Sequence, residues 1–313
     1  MPKSKLPKII VVLGPTASGK TDLGIALAKK YNGEIVNADS RQVYKEMNIA
    51  TAKPVCKERR ESRIKNQEYV VDGVVHHLMD IVRPDKDFSL ADFKQLALEV
   101  VDNILSRGRV PIVVGGTGLY IWAIIDNLDI PKVLPNKKLR ESLEKKPLLE
   151  LVKLLKGLDP TSAKQIDLKN PRRVLRALEV VITNGDSFVP QQTKSAPLYN
   201  VLQIGLNWPR EELYERVNKR VEVQMDEGLL EETQKLVKKY PWDLPSMSSI
   251  GYRQIGYYLK GELSLPEAIE ILKRDTRRYA KKQMTWFKRN KRINWISKND
   301  FKLAEKLVKK FLK

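Results

Sequence analysis

The chain has 313 residues, 42% hydrophobic and 31% charged, enough for one large or two modest domains with a buried core. Its single cysteine, Cys56, excludes an intramolecular disulfide and a metal site built from cysteines. A balance of 58 Lys and Arg against 38 Asp and Glu leaves a formal charge of +20, which points to a polyanion, either nucleic acid or an anionic membrane surface, over the plainer reading of a solubilising surface.

The stretch from Lys273 to Lys313 holds 16 Lys and Arg and 3 Asp and Glu, a surplus of 13, so one C-terminal positive face is expected. The two histidines, His76 and His77, are adjacent and cannot easily converge on one zinc ion. No apolar run approaches the ~20 residues of a membrane span. The opening "MPKSKLPKIIVVLGP" begins like a signal peptide. Its "IIVVL" is short, however, and runs straight on into a phosphate-loop pattern, so the expectation is a strand in a cytoplasmic protein.

In chain order, "KIIVVL" (Lys8–Leu13) is a β-branched apolar run that predicts a buried parallel strand. Thr21–Tyr31 has helical apolar spacing closed near Asn32-Gly33. "EIVNAD" (Glu34–Asp39) predicts a second strand, Phe93–Leu105 a helix, and "VPIVVGGTGLY" (Val110–Tyr120) a third strand turning at two glycines. This alternation predicts an α/β fold, a doubly wound parallel sheet of the P-loop type. Lys137–Thr183 reads as helical, and "YNVLQIGLNWP" (Tyr199–Pro209) returns to a strand. The expected organisation is a core over 1–120, a helical insertion over 121–196, and the rest of the core with a basic helical C-terminal region over 197–313. Arg210–Lys313 is read as helices throughout, including an amphipathic terminal helix in "KNDFKLAEKLVKKFLK".

"GPTASGKT" places Gly14, Pro15, Thr16, Ala17, Ser18, Gly19, Lys20 and Thr21 between a predicted strand and a predicted helix, the context that a phosphate-binding GxxxxGK[ST] loop requires. Its N–H groups form an anion nest, the helix start adds a positive end, Lys20 adds a point charge, and the Thr21 hydroxyl suits Mg²⁺. The third strand ends without the acid that nucleotide hydrolases use to hold Mg²⁺. Asp39 ends the adjacent strand instead, where α/β folds place ligands, as a Mg²⁺ ligand, a general base or a helix N-cap. Ser40, Arg41 and Gln42 follow it, and the Ser and Gln beside a base suit the polar edge of a nucleobase.

"GPTASGKT", "DSRQVY", "TAKP", "HHLMDI", "GGTGLY", "RRVLRALE", "SIGYRQ" and "RRYAKKQMTWFKR" occur in this order. The set resembles bacterial tRNA dimethylallyltransferases, also called tRNA isopentenyltransferases, from about Lys8 to about Arg292. The resemblance implies Mg²⁺, dimethylallyl diphosphate and a tRNA anticodon stem-loop, with the five-carbon group passing to the exocyclic amine of the adenine 3′ of the anticodon. The loop would then hold a leaving diphosphate, which accounts for the missing hydrolase acid.

By the same resemblance Asp39 is the general base, and Ser40, Arg41 and Gln42 hold the flipped base and its neighbours. Arg220 is a candidate second cation on the diphosphate, against the reading of a solvated helix arginine. Expected tRNA contacts are Thr117, Arg140, Arg172, Arg173 and Arg176, then Ser248, Ser249, Ile250, Gly251, Tyr252 and Arg253, and then Lys281, Lys282, Gln283, Trp286 and Lys288. One of Trp286 and Phe287 is expected in the core, and His77 reads as structural more readily than as catalytic. Ala50 stands where the family pattern has Gly, a departure that touches no chemistry. The absence of a Cys/His zinc-finger extension favours the bacterial type, and a monomer is the default. The rival readings are an adenine-nucleotide prenyltransferase, which needs neither the insertion nor the basic C-terminal segment, an ATP-binding nucleoside or small-molecule kinase, and a tRNA-binding protein with a regulatory loop.

Overall fold

A computed structural model of the protein describes residues 6–56, 58–60, 68–130, 136–188, 195–297 and 300–313. In chain order the elements are β1 (Lys8–Leu13), α1 (Lys20–Lys30), β2 (Gly33–Asn37), β3 (Glu58–Arg60), β4 (Glu68–Val71), β5 (Val74–His77), α2 (Leu90–Ser106), β6 (Val110–Gly115) and α3 (Gly118–Ile125). Four helices follow: α4 (Lys137–Glu144), α5 (Leu148–Leu158), α6 (Pro160–Gln165) and α7 (Pro171–Asn184). The chain continues with β7 (Asn200–Asn207), α8 (Arg210–Asp226), α9 (Leu229–Lys239), α10 (Tyr252–Leu259), α11 (Leu265–Phe287), β8 (Ile293–Ser297) and α12 (Phe301–Leu312). They form two compact units, Met1–Ile124 with Leu198–Lys313, and Ile125–Pro197.

The first unit is built on a sheet of order β3-β4-β5-β2-β6-β1-β7-β8. The six strands from β5 to β8 pair in parallel, while β3, β4 and β5 pair antiparallel. β1 lies between β6 and β7, the place where the winding reverses and where open α/β sheets bind ligands beyond their strand ends. Strand alternation sends Ile10 and Val12 into one cluster with Leu23 and Leu27 of α1 and Ala304 and Val308 of α12. α2 packs on β2 and β6, and its buried Phe93, Ala97, Val100, Val101 and Ile104 lie outside that cluster. A reciprocal Ser89–Asp92 capping box starts α2.

At the start of β2 the buried Glu34 carboxylate accepts from Arg107 at 2.5 and 2.6 Å, from Arg109 at 2.5 Å and from His77 Nε2 at 2.7 Å. Burial alone would raise its pKa, but the Arg107 and His77 hydrogen bonds hold it well below the usual carboxylate range. His77 Nε2 is therefore spent on the Glu34 cluster, and Glu34 precedes Asp39 by five residues along the chain.

The second unit is helical. Leu151, Leu155, Val174, Ala177, Leu178 and Phe188 form its core, and Glu179, fully buried, binds Arg140 at 2.8 and 2.9 Å and Arg176 at 2.5 Å.

Three expectations need correction. The third strand stops at Gly115, and α3 takes up Leu119 and Tyr120, because Thr117 O accepts from the N–H groups of Tyr120 and Ile121 and starts a helical turn. The region after Arg210 is not all helix. "INWIS" forms β8 beside β7, with Ile293 and Ile296 buried, a five-residue pattern hidden between two basic stretches. The C-terminal charge is also divided. α11 reaches the phosphate loop through Gln283, beyond the carboxyl end of β1, whereas α12 packs on β7, and its Leu312 O accepts from Lys8 Nζ at 3.1 Å at the amino end of β1.

His76 of β5 is buried, with Nδ1 3.0 Å from Val74 O and, among the described residues, no hydrogen-bond partner for Nε2. Burial lowers its pKa to about 4. Between about pH 6.5 and 4 the unfolded chain therefore binds a proton that the folded chain refuses, and stability falls as pH falls through that window, by on the order of 3 kcal/mol. Urea unfolding should show a steeper loss between pH 6.5 and 4.5 in the wild type than in His76→Asn, which carries no titrating group there.

Candidate active site

The buried run "KIIVVL" delivers the chain to the switch point, and the loop after it turns through Ala17 at φ 62° and Gly19 at φ 86°. These left-handed residues alternate the peptide directions so that N–H groups converge, as an anion nest requires. α1 then begins at Lys20, with Thr21 half-buried in its first turn.

Distant side chains hold the loop. Thr16 N–H donates to Gln283 Oε1 at 2.8 Å, and Gln283 Nε2 donates to Gly116 O at 2.9 Å. A Cβ at Gly116 would lie 2.4 Å from Gln283 Nε2 and 3.6 Å from Lys20 Cε, so only glycine lets this turn approach the loop. Trp208 Nε1 donates to Ser18 O at 3.0 Å, and Arg216 Nε donates to Ala17 O at 2.8 Å. Arg220 Nη1 donates to the Thr16 hydroxyl at 3.3 Å. The sequence left Arg220 between two readings; the structure puts its half-buried guanidinium on the loop.

Burial lowers the Lys20 pKa to about 8; Asp39 pulls it up and Arg220 pushes it down. Burial also lowers the pKa of Arg220, as does Arg216, with Asp22 and Asp39 opposing. Lys20, Arg220 and Asp39 thus share one electrostatic neighbourhood at the carboxyl ends of β1 and β2.

Asp39 is not a helix N-cap, because turns follow it and no helix begins there. One oxygen, Oδ1, accepts from Arg41 N–H at 2.9 Å in an Asx turn, and among the described residues Oδ2 accepts no hydrogen bond. Ser40 N–H donates to Thr117 Oγ1 at 3.0 Å, and the Thr117 hydroxyl donates to Ser40 Oγ at 3.3 Å, joining the ends of β2 and β6. Tyr279, which the sequence reading did not single out, lies in the same neighbourhood: burial, then the Asp39 charge, raise its pKa.

The loop after Asp39 is welded from behind. Gln42 Nε2 donates to the carbonyls of Thr51 and Ala52 at 3.0 and 3.2 Å. Buried Lys53 pairs with buried Asp80 and donates to Tyr44 O at 2.7 Å. This ion pair joins "TAKP" to "HHLMDI", two motifs that spacing alone left without a task. The N–H groups of Asn48, Ile49 and Ala50 converge on the Glu232 carboxylate at 3.0 to 3.4 Å, and Tyr252 OH donates to the same carboxylate at 2.6 Å. Gly251, at φ 104°, leaves room for the Ala50 methyl, which would lie 2.6 Å from a Cβ there. The Ala50 departure is thereby absorbed by packing.

Several residues expected on tRNA are turned inward. Tyr252, Ser249 and Gln283 are buried, with their polar atoms spent on Glu232, on Ser246 O and on the loop. Arg140 and Arg176 are tied to Glu179. Arg172, Arg173, Ser248, Arg253, Lys281, Lys282 and Lys288 are exposed, and Ile250 and Arg41 half-buried, with Arg41 Nη1 donating to Pro245 O at 2.9 Å. Of the aromatic pair, Phe287 is the core residue. Trp286 is half-buried, edge-on to Trp122 at 5.5 Å, with Arg289 5.9 Å from its ring. Trp208 and Arg216 were also missed; the available signal was their position just after β7, the strand beside β1.

Comparisons with known proteins agree with this architecture. The family model described as IPP transferase matches residues 42–290. A tRNA dimethylallyltransferase of Acetivibrio thermocellus is 45% identical, over 97% of this chain and 96% of its own length. The same-named protein of Anoxybacillus flavithermus is 42% identical, over 97% and 95%. Among solved structures, the full-length tRNA isopentenylpyrophosphate transferase of Bacillus halodurans superposes with a TM-score of 0.69 at 38% identity, over 98% of this chain and 95% of that one. A eukaryotic dimethylallyltransferase acting on tRNA gives 0.76 at 26% identity, over 97% and 77%. The chain belongs to the IPP transferase family.

An anion in the nest would restore the lowered Lys20 pKa, so binding near and above pH 8 is coupled to proton uptake. Calorimetry with inorganic diphosphate in buffers of different ionisation enthalpy should show that uptake, with affinity falling by up to about one log unit per pH unit above it. Lys20→Met should abolish the uptake and weaken binding roughly 10- to 100-fold.

Proposed function

We propose that the protein is a tRNA dimethylallyltransferase that moves the five-carbon group of dimethylallyl diphosphate to the exocyclic amine of the adenine 3′ of the anticodon. The observation that carries this reading is the pairing of an anion nest, topped by Lys20 and Arg220, with the half-buried Asp39 carboxylate, which lies just beyond β2, the strand that β6 separates from β1, and has one oxygen free of hydrogen bonds among the described residues.

An adenine amine is a weak nucleophile, so the allylic C–O bond must be made easy to break. The nest N–H groups, Lys20 and Arg220 stabilise the negative charge that grows on the departing diphosphate. As the new C–N bond forms and the C–O bond breaks, Asp39 Oδ2 accepts the amine proton. The adenine leaves its stack to reach the site. The Arg41 N–H bond to Oδ1 and the Ser40–Thr117 pair hold the acceptor side in place.

Among the described residues no group of three His, Cys, Asp or Glu could hold a metal ion. The half-buried Thr21 hydroxyl in the first turn of α1, an oxygen donor, fits Mg²⁺ and would hold it together with diphosphate oxygens and water, the donors this hard ion takes. Bound there, Mg²⁺ would neutralise charge on the leaving diphosphate. The exposed Lys281, Lys282 and Lys288, on the same stretch of chain as Gln283 and the half-buried Trp286, are suited to RNA phosphates and a stacked base. Arg172 and Arg173 offer the second unit's contacts at the exposed first turn of α7. No helix among the described residues is long and apolar enough to cross a membrane.

Label from dimethylallyl diphosphate should enter unmodified tRNA and neither AMP nor ATP. Label in a mononucleotide, or ATP consumption without transfer, would replace this reading with one of its rivals. Asp39→Asn should lower turnover by roughly 10²- to 10⁴-fold with tRNA binding largely kept; near-normal turnover would remove Asp39 as the base. Affinity for tRNA should fall steeply with salt, and neutralising Lys281, Lys282 and Lys288 together should flatten the log–log slope by about 0.7 to 0.9 for each phosphate that is no longer neutralised.

A further inference from the structure

Two loop carbonyls, those of Ala17 and Ser18, point away from the nest toward the chain after β7. Trp208 Nε1 donates to Ser18 O at 3.0 Å, Arg216 Nε donates to Ala17 O at 2.8 Å, and the Arg216 guanidinium lies 4.3 Å from the centre of the Trp208 ring. The two donors are thus one stacked unit and not two separate contacts. Ala17 is an alanine at φ 62°, a conformation that costs an L-residue roughly 1–2 kcal/mol. Its methyl is buried with Leu213 and Val217 of α8 and Ala280 of α11, with Trp208 packed beside them. One peptide is therefore held twice, by its side chain in an apolar cluster and by its carbonyl on Arg216.

We propose that Trp208 and Arg216 are a positioning pair for the leaving group. By holding the Ala17 and Ser18 carbonyls outward, they keep the loop N–H groups turned toward the diphosphate before it arrives. Neither residue need touch the substrate. Arg216 also places a second positive charge beside Arg220, since it is one of the groups that oppose the protonated form of that side chain. A nest aligned in advance binds a diphosphate, and the charge that grows on it, without reorganising during the reaction. The inference rests on the loop being the diphosphate site, as proposed above.

The test compares Trp208→Phe, which keeps a ring for stacking and removes the N–H, with Arg216→Met, which keeps packing volume and removes donor and charge, and with Arg216→Lys, which restores charge but not the planar donor. Binding of inorganic diphosphate is measured by calorimetry, and kcat and the two KM values in the transfer assay. Trp208→Phe should weaken diphosphate and raise the KM for dimethylallyl diphosphate about 3- to 10-fold, and Arg216→Met at least tenfold, with the KM for tRNA and the Tm nearly unchanged. Arg216→Lys should recover only part of the loss. If diphosphate affinity is unchanged in Trp208→Phe and Arg216→Met, or both KM values rise together with a fallen Tm, the pair is merely part of the fold and the proposal is overturned. If either variant fails to fold, the other and Arg216→Lys still decide. If the wild type binds no diphosphate, the functional reading fails first, and the proposal with it.

Discussion

The site depends on one constraint: a phosphate loop must keep its N–H groups turned inward with no ligand to hold them. Eight residues with two left-handed positions do not do this alone. The loop here is fixed by side chains far along the chain, Gln283 on Thr16, Arg220 on the Thr16 hydroxyl, Arg216 on Ala17 and Trp208 on Ser18. Each such bond contributes only about 1 kcal/mol to stability. Their value lies in removing alternative conformations of the loop, at the place where the proposed reaction develops charge. The parallel sheet makes this possible, because β6 and β7 flank β1 and bring their following segments to the same edge.

Much of this was legible in the sequence. The strand–loop–helix of residues 8–30 carries its own signals, in an apolar run, a glycine pattern and a helical period. Asp39 was found because it follows a strand, but that strand was expected beside β1, and the sheet inserts β6 between β2 and β1 because β6, later in the chain, pairs with both. What stayed hidden were the pairings between segments. "TAKP" and "HHLMDI" are short and without period, and only the fold shows Lys53 and Asp80 meeting in a buried pair. β8 was concealed because five residues between basic runs give too little alternation to outweigh their surroundings. The inward turn of Tyr252 and Gln283 was equally invisible, since a motif matched to a family says that a residue matters and not which way it faces.

The carboxylates divide by environment. Glu34, Glu179, Glu232 and Asp80 are each saturated by cations or N–H groups, and act as internal anchors for a strand start, a helical unit, a loop and a turn. Asp39 stands apart: it is half-buried, near Lys20 and Arg220, and has one oxygen without a hydrogen bond among the described residues. A carboxylate thus serves cohesion in one setting and is left with a spare acceptor, the one the proposed reaction uses, in another.

The clamp from Gln283 to Thr16 spans 267 positions of sequence. On the ribosome the loop emerges first, and its last holder arrives on the order of tens of seconds later at ordinary elongation rates. During that interval the loop lacks the side chain that fixes the Thr16 N–H, and this end of the turn is completed only when α11 is in place.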